Sequence, residues 1–530
     1  GVIVLWVCLP DALMWWLWWI WMILWATFEI LAIEIHGAIK ALSILLLIGS
    51  IIFGLIVLFY VGYENALYFD GFIQKAEGFP IENEVPDNLL RLTTEDLAKS
   101  IAAQYMGELG GALRIIDMQV TFYEGRLVWV AVVAKQEAWS ATFKVEGLVI
   151  VDANEPDRAP KILRENFAVA EGLDFNPIIG AWGSAGAKGY YGIDTALSVG
   201  DTYPVLTPEN KWAIAMTTYS IDWRGVRRYS GIYLIDKMGN VIERYNTDIP
   251  DWLIQPFDED NFLEGGINTW GNHKRGEGFD FFAPGFLWIS PSTERLTISE
   301  DTRYIYDPDT NRIVAMVIVH PIREKGELSL AGAFKITSKG IFYYDLKQYN
   351  LMSGKAASSF VQSKITARAG TRYFTAMELL YPLKVGNETK YVWFVPIYFE
   401  SETTKLVGLA GLGLVDAQAA EKVVIEYTGE GVTGEVLIKR AKQDFKALYG
   451  EKEPEFRTVH GKLVAKYNPY SKEGNTRQWL TIENLEGEKI DVLVKAEGLS
   501  DAELLIIQKL QIGDQLTIEI DKDNVVKKVH

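Results

Sequence analysis

The sequence predicts an α+β chain: transmembrane helices at the N-terminus, four related strand-turn-strand modules in series, and a small β-barrel at the C-terminus. Three observations carry this. An uncharged apolar stretch lies between Lys40 and Glu64, a register of residues recurs four times downstream, and the chain changes character from Thr458 onward. The register says most. A strand opening at Val128, Trp212, Ile313 or Val392 is followed nineteen positions later by Gly147, Gly231, Gly332 or Gly411. Five positions beyond each glycine stand Asp152, Asp236, Thr337 and Asp416, each preceded by Val or Ile. Four coincidences in one register point to a supersecondary unit that was copied and stacked.

At 530 residues the chain has room for three or four domains. A formal charge of -17 disfavours a protein whose main task is wrapping nucleic acid, and fits plain solubility. The single cysteine, Cys8, excludes an intramolecular disulfide and argues against Cys-based zinc or Cys-His chemistry. Seven of the 17 Trp fall within the first 25 residues, so that excess belongs to the N-terminal segment.

In residues 1–66 the stretch 41–63 is uncharged and, at about 1.5 Å per residue, long enough to span a bilayer core of roughly 30 Å. Tyr60 and Tyr63 stand near its far end, where amphipathic rings favour the headgroup level. The block Ala12 to Phe28 reads as a first crossing, with a re-entrant or interfacial helix as alternatives. Glu29, Glu34, His36 and Lys40 then form a solvated hairpin turn. Lys40 at that tip favours an outward-facing remainder, so the expected partner is membrane lipid and the expected location extracytoplasmic.

The modules are expected at 67–170, 171–255, 256–350 and 351–450. In the first, Thr93 and Asp96 read as a capping box, and Leu97, Ile101 and Tyr105 recur at helical spacing. Gly110-Gly111 breaks the helix, alternating strands follow, and Glu124-Gly125 reads as a hairpin turn. The fourth module is preceded by a helix near 356–365. The aspartates ending the strands are expected to accept backbone N–H groups two residues on and close the turn, with no catalytic role.

Helix, hairpin, then a strand ending in GLVIVDA or GIYLIDKMGN resembles the PepSY and YpeB-like class of small α+β modules. The resemblance implies binding or inhibitory roles on membrane-anchored extracytoplasmic proteins. Thr337 departs from it by replacing the aspartate, and no functional residue is carried over.

A helix over 435–449 leads through GEKEPEF to the last domain, 457–530, whose strands with a short helix among them resemble an OB-fold. Tyr467, Tyr470, Arg477 and Trp479 supply aromatic and basic side chains of the kind that hold single strands. Against this, eleven Lys and Arg meet twelve Asp and Glu there, so nucleic acid is the less favoured partner and protein docking the preferred one.

The five histidines form no i, i+4 pair, and the Gly180 to Gly192 loop lacks the Lys-Ser/Thr of a phosphate loop. Asp258, Asp260 and Glu264 alternate as calcium ligands do, without completing a calcium loop. The Gly- and aromatic-rich segment 267–290 reads as a structured contact loop. No cofactor is expected. The function expected is non-enzymatic: a membrane-anchored scaffold or binding protein within an oligomeric envelope or virion-type assembly. The alternatives are nucleic-acid binding through the terminal barrel, and peptidase regulation of PepSY type.

Overall fold

All four register copies lie in antiparallel meanders of four strands. The computed structural model describes most of residues 64–530. Outside that description lie, among the longer stretches, 136–142, 172–197, 222–226, 237–240, 273–294, 323–328, 366–370, 402–406 and 451–456. Before residue 64 it describes only Thr27, Ile44, Leu45, Ile48 and Gly49. Contacts divide the chain into two units, Gly1–Ala356 and Ala357–His530.

In the first unit a short strand β1 (Ile73–Ala76) precedes helix α1 (Glu95–Tyr105). The first sheet runs β2 (Leu113–Tyr123), β3 (Arg126–Lys135), β4 (Phe143–Asp152) and β5 (Lys161–Leu163), with β6 (Phe167–Glu171) also on β4. The second runs β7 (Ser198–Leu206), β8 (Trp212–Ile221), β9 (Arg227–Ile235) and β10 (Val241–Tyr245). Helix α2 (Gly265–Asn272) leads to the third, in which β11 (Leu296–Ile298) and β12 (Arg303–Asp307) pair with β13 (Arg312–Pro321), followed by β14 (Gly332–Thr337) and β15 (Gly340–Asp345).

Helix α3 (Gly354–Lys364) stands at the boundary of the units. In the second unit β16 (Thr371–Thr375) and β17 (Leu379–Val385) pair with β18 (Glu388–Ser401), then β19 (Val407–Asp416) and β20 (Val423–Tyr427). Helix α4 (Gly434–Ala447) follows and packs on β19 and β20. The last sheet contains β21 (Arg457–Lys466), β22 (Tyr470–Lys472), β23 (Asn475–Asn484) and β24 (Lys489–Lys495). Helix α5 (Asp501–Lys509) then precedes β25 (Gln515–Ile520) and β26 (Val526–Val529).

The recurring glycine has one physical cause in all four copies. A Cβ on Gly147, Gly231, Gly332 or Gly411 would lie 2.6, 2.1, 2.7 or 2.3 Å from a main-chain oxygen of Leu163, Tyr245, Tyr344 or Glu426. That oxygen belongs each time to the next strand of the meander. In three copies the residue paired with the glycine, Val133, Thr218 or Ile397, borders a β-bulge. Bulges sharpen local twist and bring backbones together, which only glycine accommodates. In three copies the residue five positions on closes a turn. Asp152 Oδ1 accepts the N–H groups of Asn154 and Glu155 at 3.0 Å, Thr337 Oγ1 that of Lys339 at 3.1 Å, and Asp416 Oδ1 that of Gln418 at 2.7 Å. Thr337 thus does the same job as the aspartates.

Strands β3 and β13 are apolar almost throughout because both their faces are covered. On β3, Val128, Val130 and Val132 pack with Trp212, Ile214 and Met216 of the second sheet. Trp129, Ala131 and Val133 belong to a larger core that takes in α1 and the third sheet, including Trp270, Phe334 and Tyr343. The first hairpin turns on Glu124 (φ 51°) and Gly125 (φ 77°), both in the left-handed region that a right-twisted two-residue hairpin requires.

Several expectations are corrected. The chain is mostly β-sheet rather than α+β, since each module sets no more than two α-helices against four or more strands. Among the described residues no helix is long and apolar enough to cross a membrane; the segments 12–28 and 41–63 fall almost wholly outside them. The terminal sheet is not a closed barrel. Strand β26 is only four residues long, so one parallel bridge, Leu493 to Val525, is all that joins the β24 and β26 sides among the described residues. The N-cap of α1 is Thr94, whose side chain accepts from Leu97 N at 3.2 Å. Thr93 is buried instead and donates its hydroxyl to Asp152 O. Finally β1, expected within the first module, pairs in parallel with β15 of the third sheet.

That long-range pairing is fastened by a buried ion pair. Lys335 Nζ lies 2.7 Å from Asp307 Oδ2 and donates to Pro80 O at 2.8 Å, while Asp309 accepts the N–H groups of Glu82 and Asn83. Removing one partner leaves a buried charge uncompensated, whereas removing both does not. Asp307→Ala is therefore expected to destabilise the first unit by about 3–5 kcal/mol, and Asp307→Leu/Lys335→Met by clearly less, read from thermal unfolding. In the second unit Gly411→Ala is expected to cost about 2–4 kcal/mol. Gly107→Ala, where a Cβ meets nothing within 4 Å, serves as the neutral control.

Candidate functional site

Two places gather chemistry-bearing side chains. The first is an outward face of the terminal sheet. Burial of Leu480, Ile482, Val492 and Val494 in its core fixes the alternation of β23 and β24. Their intervening residues, Arg477, Trp479, Thr481, Asp491, Leu493 and Lys495, therefore face outward. Trp479 pairs with Leu493 and Arg477 with Lys495, and Thr481 Oγ1 donates to Asp491 Oδ1 at 2.6 Å. Tyr467 follows β21 and donates its N–H to Trp479 O at 3.0 Å, which sets it opposite Trp479. Tyr467 is 55% and Trp479 37% exposed.

Three of the expected binding residues, Tyr467, Arg477 and Trp479, thus come to one face; the side chain of Tyr470 lies outside the described residues. Lys495 was missed by the sequence reading, and its cross-strand position from Arg477 needed the β23–β24 register to find. On the inner side Lys466 donates to the Ile507, Gln508 and Leu510 carbonyls at 2.7–3.0 Å, closing the C-terminus of α5.

The second place lies where the first and second sheets meet. Strands β2 and β7 are edge strands, and each carries a bulge: between Ile115 and Asp117 on β2, and between Val199 and Thr202 on β7. Gln119 Nε2 donates to Gln255 Oε1 at 3.2 Å, and Gln255 Nε2 to Asp201 Oδ2 at 2.7 Å. Asp201 Oδ2 also accepts Glu259 N at 2.6 Å, and Tyr304 donates its hydroxyl to Glu259 Oε2 at 2.8 Å. Burial, with Glu259 next to it, holds the Tyr304 hydroxyl far above the ordinary tyrosine range.

Asp117 belongs to this junction. The residue is half-buried, but its Oδ2 atom is shut off from solvent and, among the described residues, has no hydrogen-bond partner, while Oδ1 accepts Met118 N at 2.8 Å. Burial pushes its carboxyl up to about 7, against the Met118 hydrogen bond and with Asp201 and Glu95 adding to the rise. A lone acid in the apolar run RIIDMQV was the signal for it in the sequence.

Of the acids that alternate as calcium ligands do, Asp258 and Glu264 are described. Glu264 Oε1 accepts the N–H and hydroxyl of Thr302, and Asp258 is buried, its main-chain oxygen accepting Phe262 N and Leu263 N. The side chain of Asp260 lies outside the described residues, among which no His, Cys, Asp and Glu group is placed to hold a metal ion. The Gly180 to Gly192 loop and 273–290 also lie outside them. One further acid pair appears in the second unit. Glu426 of β20 is raised to about 7 by burial and by sharing a hydrogen bond with Asp444 of α4, with Arg440 opposing.

No family model matches the chain, and no curated protein matches it. Solved structures that it resembles include a complex named for BT0996 and RGII, at 9% identity over 82% of this protein and 95% of that one, with a TM-score of 0.21. Another is named "Glycoside hydrolase", at 10% identity over 78% and 91%, with a TM-score of 0.20. At these scores the likeness carries no argument about fold or activity.

The acid pair has a readable pH dependence. With the folded value of Glu426 above the ordinary carboxylate value, the proton it binds stabilises α4 on β20 at acid pH, and that contribution fades as pH rises towards 7. Glu426→Gln is expected to flatten the pH dependence of thermal unfolding of the second unit between pH 5 and 8.

Proposed function

We propose that this chain is a binding and assembly protein rather than a catalyst, and that the Tyr467–Trp479 face is its contact surface. One observation carries the reading: Tyr467 and Trp479, both exposed, stand at opposite positions of neighbouring backbone segments, with Arg477 and Lys495 further along the same face. Aromatic and Arg side chains in such a setting are the usual anchors of protein contacts. The charge distribution favours a second copy as the partner. Residues 457–530 account for -1 of the formal -17, so the rest of the chain is strongly acidic, while this face sets two cations, Arg477 and Lys495, against one acid, Asp491. A basic, aromatic face of one molecule against the acidic body of the next makes a head-to-tail contact.

Single-stranded nucleic acid is the second reading, favoured by the same pairing of exposed rings with Arg477 and Lys495. The near-neutral balance of the module stands against it.

The native mass of the full chain, measured by sedimentation with and without nuclease, tests both. The expected result is a nuclease-resistant oligomer whose self-association weakens at least about tenfold in Trp479→Ser and Tyr467→Ser. Unchanged association in both variants overturns the proposal, and a mass that falls after nuclease moves the nucleic-acid reading to first place.

A further inference from the structure

We propose that the contact between the first and second sheets is a proton-operated latch, closed while Asp117 is protonated and loosened when its carboxylate is left charged between Asp201 and Glu95. Geometry carries the inference. Two edge strands meet, each is bulged, and each bulge delivers an aspartate to the same junction. The two acids are treated differently. Asp201 is supplied with donors, Gln255 Nε2 and Glu259 N. Among the described residues Asp117 has one donor, its neighbour's N–H, on one oxygen, and nothing on the other.

The ionised form of Asp117 therefore faces three adverse conditions at once: a desolvated Oδ2, the Asp201 charge from β7 and the Glu95 charge from α1. Among the described residues the cation facing it is Lys99 of α1, and Lys99 is itself paired with Glu95 one turn earlier. A proton on Oδ2 removes the buried charge. Burial already pushes this carboxyl up to about 7, so the change falls within the ordinary range of working pH.

The sign follows from linkage. A carboxyl whose folded value lies above its unfolded one binds more protons when folded, so the folded junction is favoured at acid pH. That advantage is present below the unfolded value near 4 and is lost as pH rises through about 7. Each pH unit within the window changes the opening equilibrium by at most about tenfold. Gln255 is held to β7 by Asp201 and by the Tyr203 hydroxyl, and the bond that Gln119 of β2 donates to it spans the junction and is the one that opening breaks.

Hydrogen–deuterium exchange on the full chain tests this, with rates corrected for the intrinsic effect of pH. Peptides covering 113–123 and 198–206 are expected to lose protection at least about tenfold between pH 5.5 and 8. Peptides covering 475–484 of the terminal sheet are not. In Asp117→Asn the protection at pH 8 is expected to match that of the unmodified chain at pH 5.5. Asp201→Asn removes the charge facing Asp117 and keeps a polar group of the same shape. Ionised Asp117 then costs less, so the loss of protection between pH 5.5 and 8 is expected to shrink without vanishing. Protection in the unmodified chain that does not change with pH overturns the latch, and so does a pH dependence left intact in Asp117→Asn.

Discussion

Close approach of backbone to backbone governs this fold. In each of four sheets the carbonyl of one strand comes nearer to the preceding strand than a side chain at that position allows, and glycine is what makes the approach possible. The bulges beside three of those glycines sharpen the local twist of their sheets. In the first unit the first sheet is covered on both sides, by the second sheet on one and by α1 with the third sheet on the other. The apolar composition of β3 is a consequence of that double cover.

The same constraint explains what could be read from the sequence and what could not. The glycine register and the turn residues after it were legible because each answers a local demand, a missing Cβ or an acceptor two residues from a turn. The Glu124-Gly125 hairpin was legible for the same reason. Pairings between distant segments were not. Nothing in IQKA marks β1 as a strand of the third sheet, because a four-residue edge strand carries too little pattern to name its partner. The proportion of helix was overread because helical spacing is conspicuous over eleven residues, while alternation in strands buried on both faces disappears.

The candidate sites divide in a similar way. Tyr467, Arg477 and Trp479 were chosen by residue type and proved to share a face because period-two alternation and one hairpin suffice to place them. Asp258 and Glu264 were singled out by spacing, which does not foretell that 259–264 forms a π-helical turn or that Glu264 bonds Thr302. The junction of Asp117 and Asp201 needed two bulges to form, and a bulge is seen only once strands are paired.

The parallel pairing of β1 with β15 has a bearing on synthesis. Pro80 and Lys335, which clamp it, are 255 positions apart. At about 5–20 residues per second a ribosome needs on the order of tens of seconds to cover that distance. Throughout that interval the leading strand and the residues after it are outside the ribosome without the sheet they belong to. The first two sheets are made in the meantime, so the third is completed around elements already present, and its last strand is the one that gives the oldest strand its place.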